Sequence, residues 1–437
     1  MNSLMDAMNI LLLGSGGRED AIGVSLSASL LCEKLYCAPG SGNAALYSTV
    51  ISNLDIMSPE AVCEFACKND IALVVIGPEA PLVAGVAHLL RANGIAVFGP
   101  DSQGAMLEGS KAYSKQFMVD NNLPTAAYAC FDNESLALSY AEEIGAPVVV
   151  KADGLAAGKG VIICEKIQDA QNAIRDCFSG AFGEAGKTVL IEEFMTGPEC
   201  SLLAFVSNGQ AICMPAAQDH KRAFDGDLGP NTGGMGVYSP VPIVSDEEMQ
   251  VMTDIMQRAA RATAQEPFKM DYRGVLYGGF MLTSKGPMLL EFNARFGDPE
   301  TQVILPKLKT DLVEVMLAVA NGRPDDVSVQ FDDVWTVCVV LASKGYPGAY
   351  EKGKVILGVS EACALEGVRV YHAGTKIDMN GELVTAGGRV LNVVASASTF
   401  EEARELAYEA CDLIHFDGKQ CRSDIGKKAT LGRDAWN

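Results

Sequence analysis

Apolar residues recur over the first hundred positions in short runs, Ile10 to Leu13, Lys34 to Ala38, Leu73 to Gly77 and Ala96 to Gly99, with helically spaced stretches between them. Strand alternating with amphipathic helix predicts a small parallel α/β domain. From Ala127 to Glu193 the order becomes strand, helix, strand, glycine loop, strand, helix, strand, which describes a small α+β lobe ending in VLIEEF. The β-branched Val148, Val149 and Val150 favour a strand, and Val161, Ile162 and Ile163 resume one, so the glycine loop is predicted to join two antiparallel strands. Between Gln218 and Pro240 periodicity almost vanishes; loops of that length inside compact domains are usually functional. A buried strand in MLLEFNARFGDPETQ, Met288 to Gln302, is predicted to present Glu291, Asn293 and Arg295 on one side by period-two alternation.

Composition narrows the class. At roughly 150 residues per domain, the length suggests about three domains, and 49% hydrophobic content suffices for several cores. The 34 basic against 55 acidic residues give a net charge of −21, which argues against nonspecific binding to nucleic acid or anionic membrane and in favour of small-molecule substrates. Thirteen scattered cysteines form no CxxC pair and no zinc-like cluster with histidine, and read as reduced thiols. No apolar run approaches a membrane span, and the opening MNSLMDAMNI lacks the plan of a signal peptide. A cytoplasmic protein is expected, with a monomer as the simplest state.

The candidate chemistry centres on VVVKADGLAAGKGV. Lys151 ends the strand, and Gly154, Gly158 and Gly160 allow successive N–H groups to turn toward phosphate oxygens, with Lys159 in the same loop. GKG in place of GK[ST], followed by a strand, rules out the Walker pattern. Ser110 can cap a helix that starts at Lys111, a second phosphate contact. The backbone of Glu192, Glu193 and Phe194 can meet a purine ring, and Glu199 its ribose. In the first domain the turn GSGGRE lacks the third glycine of a dinucleotide fingerprint, but Gly16 and Gly17 can admit one phosphate at a helix start. Asn43 in APGSGN, and Pro78 and Glu79 in GPEAP, lie at strand ends where open α/β sheets bind ligands. Asp219 and Lys221 bring an acceptor and a donor together in the long loop. Glu291 and Asn293 offer the few oxygen ligands that suit Mg²⁺, and Arg295 a fork for a carboxylate or phosphoryl group. Plain alternatives stand beside each reading: a glycine hairpin, a tight turn, an edge strand, a mobile loop, a Glu291–Arg295 salt bridge.

Taken together, GSGGRE, VIGPEAPLVAG, LEGSK, VVVKADGLAAGKGV, AQDHKR, GPNTGGMGVYSP, EFNARFGDPETQ, GYPG, HAGT and GGRVL resemble, in order, the ATP-grasp carboxylate–amine ligases of the phosphoribosylamine:glycine ligase family over nearly all of Asn9 to Lys428. The resemblance implies a Rossmann-like α/β domain over 1–108, a two-lobed ATP-grasp core over 109–330 with its small lobe at about 127–193, and a β-rich domain over 331–437. It implies ATP-dependent joining of glycine to 5-phosphoribosylamine through glycyl phosphate, with Mg²⁺ or Mn²⁺ on Glu291 and Asn293, Arg295 stabilising developing charge and Asp219 orienting an amine. The family's first helix usually opens GREHA; this chain reads GREDA, and a carboxylate at Asp20 would repel a nearby phosphate. Asp20 is therefore expected either to face away or to mark a rearranged sugar-phosphate site.

Overall fold

The computed structural model describes residues 6–154 and 160–430. Strands β1 (Met8–Gly14), β2 (Cys32–Pro39), β3 (Thr49–Val50), β4 (Ile71–Ile76) and β5 (Ala96–Phe98) form the expected parallel sheet in the order β3-β2-β1-β4-β5. Helices α1 (Gly17–Ser27), α2 (Pro59–Lys68), α3 (Glu79–Val83), α4 (Val86–Ala92) and α5 (Ser102–Gly109) accompany it. Ile10 and Leu12 face one core with Ile22 and Leu26, while Leu11 and Leu13 face another with Val62 and Leu90, which explains the unbroken apolar run of β1. Because the strand order reverses between β1 and β4, the loops after β1, β2 and β4 gather at the carboxyl edge of the sheet.

After α6 (Lys111–Asp120) come β6 (Tyr128–Phe131), α7 (Glu134–Ile144), β7 (Val148–Ala152), β8 (Val161–Cys164), α8 (Ile167–Asp176) and β9 (Val189–Glu193). The sheet runs β6-β9-β7-β8 and is antiparallel throughout, with β7 and β8 paired across the glycine loop as predicted. Strand β9 lies inside this sheet, so the edge-strand alternative does not hold.

The larger lobe contributes β10 (Glu199–Ser207), β11 (Gln210–Cys213), β12 (Gln218–Asp219), β13 (Arg222–Phe224), β14 (Leu228–Asn231), β15 (Gly236–Ser239), α9 (Asp246–Thr263), β16 (Arg273–Thr283), β17 (Gly286–Asn293), α10 (Glu300–Ile304) and α11 (Leu312–Ala320). Its antiparallel sheet is β11-β10-β16-β17. Beyond it stand β18 (Trp335–Ser343), α12 (Val359–Cys363), β19 (Val368–His372), β20 (Thr375–Ile377), β21 (Leu383–Thr385), β22 (Arg389–Ala397) and α13 (Phe400–Leu413).

The stretch from Gln218 to Pro240 corrects the expectation of a long loop. It holds four short strands: β13 and β14 form a hairpin, while β12 and β15 extend the last sheet as β12-β15-β18-β22-β19. Val237 packs into one core and Tyr238 into another, so β15 is buried on both faces and shows no polar alternation for a period-two reading to find. No helix among the described residues is long and apolar enough to cross a membrane.

Candidate active site

Strand β7 carries Lys151 into the small lobe's interior, where its Nζ lies 2.9 Å from Glu192 Oε2 on β9. Lys111 begins α6, with Ser110 Oγ accepting the Tyr113 N–H at 3.1 Å, and its Nζ donates to the Gly154 carbonyl at 2.8 Å. Asp153 accepts from Ser110 Oγ at 3.0 Å and from the Ala112 N–H at 3.1 Å, so the entry to the glycine loop is fastened to the start of α6. Gly154 holds φ +120°, a conformation that favours glycine, and the buried Gly160 accepts the Ala152 N–H at the loop's exit. Gly158 and Lys159 lie outside the described residues. Burial lowers the pKa of Lys111, Glu291 opposing the fall and Lys151 adding to it. Ladder partners flank β9 on both sides through Glu193, so open backbone for a purine begins past Glu193, near the half-buried Phe194. The side chain of Glu193 is exposed.

A second charged cluster adjoins the first. Lys221 forms an ion pair with Glu199, the lysine holding that carboxyl below its usual range against the opposing effect of burial. Burial would lower Lys221 itself, but Glu199, Asp219, Tyr277 and Glu291 outweigh it and keep the ammonium charged. Glu291 and Asn293 share a face of β17, whose register shift beside Leu289 precedes them. Arg295 lies past the strand end, so the turn rather than strand alternation delivers it. Its Nη2 is 2.6 Å from Glu108 Oε1 and 3.3 Å from Asn293 Oδ1, and its Nη1 donates to the Phe296 carbonyl. Nε has no hydrogen-bonded acceptor and sits 3.7 Å from Glu79 Oε2. The salt bridge weighed from the sequence thus goes to Glu108 and Glu79, not to Glu291. Among the described residues no three or more His, Cys, Asp or Glu side chains are arranged to hold a metal by themselves. A pair of hard oxygen donors without a cage fits a divalent ion that takes its other ligands from phosphate and water.

The first domain's turn departs from expectation. Gly16 caps α1, but its N–H donates to Glu19 Oε2 at 2.6 Å, and the Arg18 N–H faces Asp298 Oδ2 at 3.5 Å. A Cβ on Gly17 would lie 2.2 Å from Asn392 Nδ2 and 2.7 Å from Gln302 Nε2. These glycines admit protein side chains, and the carboxylates of Glu19 and Asp298 stand at the helix start where a phosphate was expected. Asn43 is half-buried beside Ser41, whose Oγ accepts its N–H at 3.3 Å. Pro78 caps α3, and Glu79, its first residue, reaches Arg18 as well as Arg295. Burial raises the Glu79 carboxyl, yet Arg295, a backbone N–H and Arg18 bring it below its ordinary value. Asp20 is held by protein donors: Oδ1 accepts from Ser41 Oγ at 2.5 Å and Tyr47 Oη at 2.8 Å, and Oδ2 accepts the His372 N–H at 2.8 Å.

Several participants escaped the sequence reading. Glu108 precedes LEGSK's Ser110 by two positions and carries no periodic signal of its own. Tyr277 Oη, 2.6 Å from Ser201 Oγ, donates to Glu300 Oε1 at 3.0 Å. Arg389 of GGRVL donates to the Gly233 and Asp298 carbonyls at 2.6 and 2.8 Å, holding the glycine turn before β15. Glu108, Glu300 and Arg389 lie in motifs that the resemblance quotes, which is the signal that could have found them.

Three family models match the chain consecutively: the phosphoribosylglycinamide synthetase N domain over 8–108, its ATP-grasp (A) domain over 109–301 and its C domain over 336–428. A phosphoribosylamine–glycine ligase of Mesorhizobium japonicum is 47% identical over 97% of this chain and 98% of its own length. That of Halalkalibacterium halodurans is 46% identical over 98% of both. Among solved structures, a phosphoribosylamine–glycine ligase of Thermotoga maritima superposes with a TM-score of 0.81 at 34% identity, over 96% of this chain and 100% of that one. A biotin carboxylase of Campylobacter jejuni, at 16% identity and TM-score 0.73 over 95% of this chain and 93% of its own, shares the fold. The ordered motifs, the ATP-grasp lobes and these matches along almost the whole length together mean that the chain belongs to the phosphoribosylamine–glycine ligase family.

Proposed function

We propose that this protein ligates glycine to 5-phosphoribosylamine with ATP, through glycyl phosphate, releasing glycinamide ribonucleotide, ADP and phosphate on the route to purine nucleotides. A carboxylate is a poor electrophile, so the chemistry calls for its oxygen to attack the γ-phosphoryl in line; Lys111 and Lys151 supply charge for the phosphates, and the glycine loop supplies N–H donors. Glu291 and Asn293 would hold Mg²⁺ or Mn²⁺, whose positive charge offsets that of the phosphate oxygens. The amine of phosphoribosylamine then attacks the acyl carbon and phosphate leaves, with no covalent link to the protein. Asp219 takes a proton from that amine, and Lys221 and Glu79 orient substrate groups.

The observation that carries this reading is the setting of Arg295: half-buried between Glu79 and Glu108, it reaches Asn293, a candidate metal ligand, through Nη2, while its Nε has no hydrogen-bonded acceptor. Burial alone would lower its pKa, but Glu108, Glu79 and Glu300 raise it well beyond the usual value, so the fork stays charged for an acyl phosphate. The working division is 1–108, 109–330 and 331–437, with β12 and β15 lent to the last sheet. Thirteen free thiols suit a reducing cytoplasm, and a monomer contains every group named above.

The test is ADP release by the purified protein with magnesium. Release is expected only when ATP, glycine and phosphoribosylamine are all present; an uncleaved nucleotide in the complete mixture would end the proposal.

A further inference from the structure

We infer that Lys115, on α6, is a positioning residue for the nucleotide site: by sharing Glu192 with Lys151 it sets where the Lys151 ammonium rests. Lys115 is 2% exposed, and its Nζ lies 3.0 Å from the same Glu192 oxygen that Lys151 approaches to 2.9 Å. It also donates to Thr125 Oγ1 at 2.6 Å. An ammonium only donates, so Thr125 is the acceptor there and passes its own proton to the Leu289 carbonyl at 2.8 Å. Leu289 stands two residues before Glu291 on β17. Contacts thus diverge from Lys115, one way to Glu192 of the small lobe and the other, through Thr125, to the strand bearing the candidate metal ligands.

Two ammonium groups on one carboxylate leave a net positive charge in a buried place, and Glu192 Oε1 has no hydrogen-bond partner among the described residues. Burial lowers the Lys115 pKa, Glu192 opposes that and Lys151 adds to it, so the three groups respond to one another. Without Lys115, Glu192 keeps Lys151 as its sole counter-charge and draws it from the phosphates. The loss then falls on ATP affinity rather than on turnover. This inference rests on the nucleotide reading of Lys151 given above.

Steady-state ADP release and calorimetric ATP binding on the full chain test it. Lys115→Met should raise KM for ATP about tenfold, the scale of one charged hydrogen bond, with kcat and KM for glycine within about threefold. Lys115→Met with Glu192→Gln should regain at least about threefold of the lost affinity, because Lys151 no longer faces a charged competitor. An unchanged ATP affinity in Lys115→Met, a fall in kcat alone, or no recovery in the double variant would overturn the inference. Should Lys115→Met not fold, Thr125→Val reads the same axis: about a threefold weaker ATP affinity supports it and none refutes it. Lys151→Met separates the two readings. If it binds ATP normally, the nucleotide site itself is misread; if it binds weakly while Lys115→Met does not, only the role of Lys115 falls.

Discussion

Burial lifts the Asp219 carboxyl to about 7, against the pull of Lys221 and with help from Glu300 and Glu199. A base so placed can accept a proton near neutrality and return it without a large barrier. Turnover is therefore expected to rise with pH through about 7, and Asp219→Asn should flatten that limb of the pH–rate profile for ADP release. A limb that survives the substitution would assign the proton acceptor elsewhere. Asp219 was visible in the sequence as one polar residue of a charged run. Its environment was not, because Glu199, Tyr277 and Glu300 arrive from three other segments. Arg295 shows the same limit: EFNARF announced a guanidinium, whereas its partners Glu79 and Glu108 belong to segments nearly two hundred positions or more upstream.

At the level of elements, β-branched runs and cap residues were enough to find the first sheet, the small lobe and α6. The hairpin β13–β14 and its surroundings were not legible, since long-range ion pairs hold them. Arg422 pairs with Asp227 and Asp424, Lys428 also pairs with Asp227, and Ser423 binds Asp225, so the segment after α13 fastens the region that follows β12. His220 completes this fastening: its Nε2 accepts the Gly426 N–H at 3.1 Å, which requires a neutral ring with the proton on Nδ1. Burial, aided by Arg422, lowers its pKa from 6.5 to about 4. Below 6.5 the unfolded chain takes up the proton first, so this contribution to stability, full above 6.5, declines as pH falls toward 4. The expected loss between pH 7 and pH 5 is about 2 kcal/mol. Urea midpoints at the two pH values check it: His220→Gln, which keeps an acceptor but does not titrate, should lose less than the parent chain, and equal losses would remove His220 as the source.

Across the whole molecule, Asp20 is the departure from the family pattern that mattered most. The sequence raised repulsion of a phosphate as the concern; the structure turns the carboxylate toward Ser41, Tyr47 and the backbone of His372, joining the first domain to the last sheet. Three donors converge on a side chain that is 1% exposed, so Asp20→Ala should cost about 2–4 kcal/mol by leaving them unpaired. Asp20→His offers one acceptor for the three and should also destabilise. Denaturant midpoints measure both, and a change below about 0.5 kcal/mol would mean that water replaces the carboxylate. This contact was out of reach of sequence reasoning because its ends are more than 350 positions apart.

The strand β15 gives the molecule one more property. It reaches forward in the chain to lie against β18, which makes the final sheet a joint product of two distant stretches rather than a self-contained module. A fragment cut just before β18 would leave its Thr336–Val339 stretch bare and greasy along the edge that β15 covers, inviting intermolecular stacking, so genetic dissection of this chain works best by splitting it and supplying both halves together.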